Sequence, residues 1–273
     1  MSRTASKHLP ATLSEAARAV LGIADPGKKA AESRRLAAAW RAGEIEWAFT
    51  GSLPDRPARP PQPTLLPPSQ MPRRGKAGSL RSRIALLHAL AHIELNAIDL
   101  AWDAAARFGA TMPRAFADDW VSVGDDEARH FDLLATRLAD LGGAYGDLPA
   151  HDGLWQAAMD TAHDLPARLA VVPQVLEARG LDVSPATAER LERAGDAASA
   201  RIVGIIYQDE IGHVRIGNYW FRFLCKSNGL DPVSTFRALV EKHFTGRLKP
   251  PFNDSARESA GLTKEFYAPL ESD

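Results

Sequence analysis

Two glutamates each followed three residues later by histidine, Glu127-x-x-His130 and Glu210-x-x-His213, constrain this chain more than any other feature. On a helix, positions three apart share a face, so each pair offers two ligands to one cation. A further glutamate stands 33 residues ahead of each pair, Glu94 before Glu127 and Glu177 before Glu210. That offset suits a helical hairpin with a glutamate on one helix and Glu-x-x-His at matching height on its antiparallel neighbour, and its recurrence suits a duplicated hairpin. A lone Glu-x-x-His is common on solvated helix faces, whereas six such residues in this order and register are specific. A four-helix bundle with one Glu from each of two helices and Glu-x-x-His from each of the others can hold two iron or manganese ions.

Helical periodicity agrees. Ser79 caps a helix expected from Leu80 to Phe108, ended by Gly109, whose apolar stripe of Leu87, Leu90, Ala91, Ile98 and Ala101 is interrupted by Glu94. A buried, unpaired carboxylate is costly, so the interruption implies a cation facing it. His88 and His92 lie about 240° and 200° around that helix from Glu94 and read as packing or surface histidines. Thr111 and Pro113 open a second helix to Leu141, where Glu127 and His130 interrupt Phe116, Trp120, Val123, Leu134 and Leu138, and Gly142-Gly143 close it. The third is irregular: a piece from Leu154 to His163, then Pro166 and Pro173, then Glu177 and a stop at Gly180. Pro173 lies four residues before Glu177, which predicts a kinked or unwound backbone there, either an opening at the site or a bend that fits the bundle. Ser184-Pro185 begin a fourth helix running to Asn228, with Val203, Ile206, Gly217, Trp220 and Leu224 around Glu210 and His213.

The expected fold class is therefore all-α, an antiparallel four-helix bundle over residues 77–229. Ahead of it stand an N-terminal helical extension over 1–50 and a proline-rich strap over 51–76. Residues 230–273 follow as a C-terminal helix, Asp231-Pro232 to about Phe244, and a mostly irregular tail. Prolines at 54, 57, 60, 61, 63, 67, 68 and 72 forbid helix in the strap and favour extended chain. Between Arg56 and Ile93 every charge is basic: Arg56, Arg59, Arg73, Arg74, Lys76, Arg81 and Arg83. These either attract phosphates, with Arg73, Arg74 and Lys76 the candidate anion-binding group, or solubilise a linker.

With 33 basic against 34 acidic residues, no global field points to nucleic acid or membrane. No apolar run of about 18 residues and no signal-like start are visible, so a cytoplasmic protein without a membrane partner is expected. A single cysteine, Cys225, excludes an internal disulfide and cysteine-rich zinc or iron–sulfur sites, and its aromatic neighbours give it a packing role.

Four carboxylates facing one another carry about four negative charges, which two divalent ions neutralise, with two neutral imidazoles completing the ligands. Such oxygen-rich ligation suits iron first, then manganese or a mixed iron and manganese pair; zinc stays open, although structural zinc sites usually close with cysteine and histidine. Asp126 and Asp209 each precede a ligand glutamate and either hold a ligand histidine by its second N–H or lie on the surface. Tyr207, three residues before Glu210, is the one catalytic candidate; it can bond a ligand, serve in redox chemistry, or only pack. Arg179 and Arg215 flank ligands and could balance charge.

In this order of residues the chain resembles the ferritin-like di-iron carboxylate superfamily, and an Asp before each motif Glu is similar to the bacterial multicomponent monooxygenases. In those relatives the Asp of one motif supports the His of the other, which implies pairs Asp126 with His213 and Asp209 with His130. The stretches Ala91-His92-Ile93-Glu94-Leu95, Leu176-Glu177-Ala178-Arg179-Gly180-Leu181-Asp182 and Pro250-Pro251-Phe252-Asn253 resemble a bacterial branch of that superfamily, DUF455, from about residue 76 onward. The resemblance implies the bundle and the metal site but no particular reaction. A tRNA hydroxylase also uses such a bundle, which offers the basic run tRNA or another polyanion as a partner.

The expected function is an oxygen-activating oxidoreductase, an oxygenase or hydroxylase that takes dioxygen and a small-molecule substrate. Electrons would come from an external donor, since no flavin or iron–sulfur motif is present. Iron handling as a ferroxidase or store is an alternative, which the strap and tail disfavour by encumbering cage packing. A metal-stabilised structural or RNA-binding module is another. The oligomeric state is left open.

Overall fold

Every regular element is helical in the computed structural model, which describes residues 9–72 and 77–270. Among the described residues there is no strand, only two isolated bridges, Thr12 with Glu46 and Leu65 with Ala150. Two units can be told apart, one from the described residues of Met1–Pro60 with Ala97–Arg129, the other from those of Pro61–Asn96 with His130–Asp273. Helices α3 (Leu80–Phe108) and α4 (Arg114–Asp140) each contribute to both.

In the first unit, α1 (Leu13–Leu21) starts at a reciprocal cap between Thr12 and Glu15, and α2 (Pro26–Arg41) starts at Asp25 with proline in its first position. Leu13, Leu21, Leu36, Trp102 and Phe116 are fully buried. The core also holds charge. Asp99, on α3, accepts from Lys29 Nζ of α2 and Arg59 Nη1 of the strap, and both Asp99 and Lys29 are shut off from solvent. Ser33 Oγ donates to the Gly124 carbonyl at 2.7 Å and accepts from Trp102 Nε1 at 2.7 Å.

In the second unit, α5 (Gly153–Asp160) and α6 (Leu165–Val171) lead into a π-helical turn at Val172–Glu177, followed by α7 (Ala178–Arg193), α8 (Ala197–Ser227) and α9 (Pro232–His243). The loosened backbone predicted ahead of Glu177 is this π turn. Pro173 has no N–H for the Leu169 carbonyl, and Gln174 Nε2 donates to it instead at 3.0 Å.

The expected stop at Gly180 and restart at Ser184-Pro185 are not seen, because α7 continues through both. Pro185 leaves the Leu181 carbonyl without its usual helical donor, and Asn253 Nδ2, 72 residues away in sequence, fills the gap at 3.1 Å. The chain turns later, at Gly195 (φ +76°), and Asp196 caps α8 through the Ser199 N–H.

Helix α8 packs against the π turn through Gly217. A Cβ there would fall 2.5 Å from both Cβ and Cγ of Pro173, a ring that cannot rotate away. Gly217→Ala is expected to cost about 1–3 kcal/mol, the usual range for overpacking, seen as a lower urea midpoint at unchanged slope.

The tail is more ordered than expected: α10 (Asp254–Ser259) and α11 (Lys264–Tyr267) close on α7 and α9. Arg257 is buried between the Phe252 and Tyr267 rings and makes two bonds to buried Asp182, at 2.8 and 2.7 Å. In the described part of the strap the expectation of no helix is corrected by one 3₁₀ turn, Pro68–Gln70, and the chain is pinned within each unit: the Ala58 N–H donates to Leu21 O at 2.8 Å, and the Leu66 N–H to Ala150 O at 2.8 Å. Arg73, Arg74 and Lys76 lie outside the described residues. One correction concerns α3, which by length and composition could cross a membrane; 67% of its most apolar stretch is buried, as in a core helix.

Candidate metal centre

Three helices supply the centre, and each does so by interrupting its apolar stripe as the sequence does. Glu94 on α3, Glu127 and His130 on α4 and Glu210 on α8 are buried at 2%, 0%, 0% and 7% exposure, too little for water to solvate three carboxylates. Glu94, His130 and Glu210 belong to one unit, and Glu127 precedes His130 by one turn of the continuous α4. One ligand atom from each of the four lies within 4.8 Å of the others, a spacing at which a single cation can reach all of them.

The orientation of His130 shows which atom would face a cation held by the cluster. Nε2 lies 2.9 Å from Asp209 Oδ2, and a carboxylate oxygen can only accept, so Nε2 carries the proton. Nδ1 lies 3.2 Å from Glu94 Oε2, on the side where the carboxylates converge, so it would carry a second proton there or give its lone pair to a cation. Asp209 thus holds the ring by its outer nitrogen, the arrangement that orients metal-bound histidines. This is one of the two cross-motif pairs the resemblance implies. Asp126, of the other pair, accepts from Arg129 Nη2 at 3.2 Å.

Glu177 and His213 are not among the four clustered residues. His213 is buried on α8, its ring centroid 5.9 Å from that of His130 and its Nδ1 3.7 Å from Glu210 Oε1. Glu177, half-buried, ends the π turn. One turn onward, a Cβ on Gly180 would lie 4.0 Å from Glu210 Cγ, so the start of α7 runs close beside the cluster. Tyr207 is half-buried, and its hydroxyl takes a bond from Asn253 Nδ2 at 3.2 Å. Arg179 donates to the carbonyls of Lys249 and Pro251 and pairs with Asp182, and Arg215 donates to Ser259 O. Both arginines hold the tail.

His88 and His92 are buried rather than on the surface. His88 Nε2 accepts the N–H groups of Gly146 and Leu148, and His92 bonds the Tyr145 hydroxyl and the His151 carbonyl. A helix carrying histidines at 88 and 92 within an apolar run was a signal for such anchoring.

The family model described as a protein of unknown function (DUF455) matches residues 22–268, nine-tenths of the chain. The chain belongs to the DUF455 family. A relative from Haemophilus influenzae, described as an uncharacterized protein, is 45% identical over 213 residues, 76% of this chain and 74% of that one. No solved structure matches. The description of the DUF455 family names no reaction, so the chemistry rests on the donors. Three carboxylates and an imidazole, without sulfur, form a hard set that fits iron or manganese better than a thiolate-seeking metal. Cys225, the one thiol, is buried 12 positions further along α8 than His213.

Proposed function

We propose that this chain is a ferritin-like di-metal carboxylate protein acting as an oxygen-activating oxidoreductase on a small molecule. The observation that carries this reading is the buried convergence of Glu94, Glu127, His130 and Glu210. His213, beside His130, and Glu177 at the end of the π turn would complete the ligand set for two ions. Iron is the first choice, and manganese or a mixed pair also fits the donors. Such ions supply dioxygen binding and redox chemistry.

The chain's own part is positional. Asp209 sets the tautomer of His130, the apolar stripes keep bulk water from the carboxylates, and the π turn gives Glu177 a backbone freer to shift than a regular helix. Electrons would come from a separate donor. Cytoplasmic residence and a polyanion such as tRNA as partner remain parts of this reading. Against the latter, Arg59 and Arg83 of the basic run are engaged internally, Arg59 with Asp99 and Arg83 with the Ala194 carbonyl.

Metal analysis of protein grown in iron-sufficient medium should give about two equivalents of iron or manganese per chain. Reduced protein should consume dioxygen when a chemical reductant is supplied. A large cage on size-exclusion chromatography, taking up ferrous ion far beyond two equivalents, would instead establish storage. Asp209→Ala is expected to weaken metal binding about 10- to 100-fold while all the ligands remain, because His130 loses its orienting partner. Competition against a chelator measures it, and unchanged affinity would remove Asp209 from the site.

A further inference from the structure

A cavity of about 750 Å³ lies at the first turns of α3, walled chiefly by Met71, Leu80, Ile84, Ala85, Leu148 and Pro149. It lies within one unit. Its walls are apolar, and Leu80 leaves 48% of its surface uncovered there. Of its polar members, Ser79 and Ser82 bond to each other and to the backbone of the same turn, and Arg81 is exposed to solvent.

His88 is different. It lines the cavity and is itself 1% exposed. Its Nε2 accepts two backbone N–H groups, from Gly146 at 3.0 Å and Leu148 at 3.4 Å, so that nitrogen is unprotonated. In a neutral imidazole the proton then sits on Nδ1. Burial lowers the pKa of the ring, with nearby Asp147 opposing, which keeps it neutral at physiological pH. Among the described residues no group accepts the Nδ1 proton. The ring lines a largely apolar space large enough for an organic molecule, so its remaining N–H is a donor left for whatever enters that space.

We propose that this cavity is a binding site for a small, uncharged apolar molecule bearing one carbonyl-type oxygen, which accepts the Nδ1 proton of His88. The one cation in the lining, Arg81, is solvent-exposed, so the neutral ring of His88 and the apolar side chains around it favour an uncharged molecule with one acceptor. The site does not depend on the metal reading: His88 precedes Glu94 by six residues, about 9 Å along α3, and faces another side of the helix.

The test uses 2-acetonaphthone as the probe and 2-ethylnaphthalene as a hydrocarbon of similar shape without the acceptor. Titration of the full chain followed by ligand fluorescence should show the ketone binding about tenfold more tightly, although the hydrocarbon is the more hydrophobic of the two. The ¹H and ¹⁵N resonances of the His88 imidazole should shift at Nδ1 with the ketone and not with the hydrocarbon. Ala85→Trp fills the cavity and should abolish binding of both. Equal affinities, an unmoved Nδ1 resonance, undiminished ketone binding by a folded Ala85→Trp, or no binding at millimolar ketone would each overturn the proposal. The comparison of ketone with hydrocarbon needs no variant, so it decides even if Ala85→Trp fails to fold.

Discussion

Ferrous or manganous ion added to metal-stripped protein is expected to raise its thermal midpoint, and Glu127→Ala and Glu210→Ala should each remove that rise. At a free metal concentration about 100 times Kd, binding to the folded state alone stabilises by about 2.7 kcal/mol, or about 5–10 °C for a chain of this size. Both glutamates sit in a cluster whose ligand atoms lie within 4.8 Å of one another, so losing either opens the coordination and leaves metal content far below that of the parent. Without metal, the variants should keep their helical circular dichroism, since helices here are held by apolar packing. They should even melt no lower than the metal-free parent, because each removes one of several carboxylates crowded out of water. Calorimetry with and without metal reads both effects. An equal metal-induced rise in parent and variants would eliminate the site.

The second large effect is expected at Asp99. Asp99→Ala leaves Lys29 buried opposite Arg59 without an anion between them, a loss of about 3–5 kcal/mol for a broken buried pair. Lys29→Met should cost less, because Asp99 keeps Arg59 and the stem of Lys29 is replaced in kind. Exclusion of water drives both partners toward neutrality, raising the Asp99 carboxyl and lowering the Lys29 ammonium, while their attraction opposes it. Urea unfolding of the two variants measures the difference. Asp99→Ala as stable as Lys29→Met would show that the triad does not anchor the strap.

The helices α3 and α4 and the residues interrupting their stripes were legible in the sequence. Apolar residues at helical spacing mark a buried face, and a carboxylate placed on that face needs a cation to offset its lost hydration. Of the six residues that the spacing brings out, Glu94, Glu127, His130 and Glu210 cluster, whereas Glu177 and His213 are not in that cluster. The π turn before Glu177 was legible from Pro173, whose missing N–H is a local fact. The break between α7 and α8 was misplaced at Gly180 and Pro185, because a proline ends a helix only when its orphaned carbonyl finds no other donor. Here Asn253 supplies one from a distant segment.

Long-range partners of this kind decided the rest. Nothing local marks Lys29 and Arg59 as companions of Asp99, although two aspartates, Asp99 and Asp103, within an apolar stretch of α3 signalled buried charge needing cations. The tail looked irregular because its order comes from Arg257 packing between rings and pairing with Asp182, 75 residues away in sequence. The free donor of His88 became visible only when the loop at 146–148 was seen to occupy the other nitrogen. The sequence by itself determined most of the helices and their buried faces, since periodicity is a property of a single helix. Tertiary structure alone decided which buried charges meet, where a proline is tolerated and where a cavity stays open, because each depends on groups that only the folded chain brings within a few ångströms.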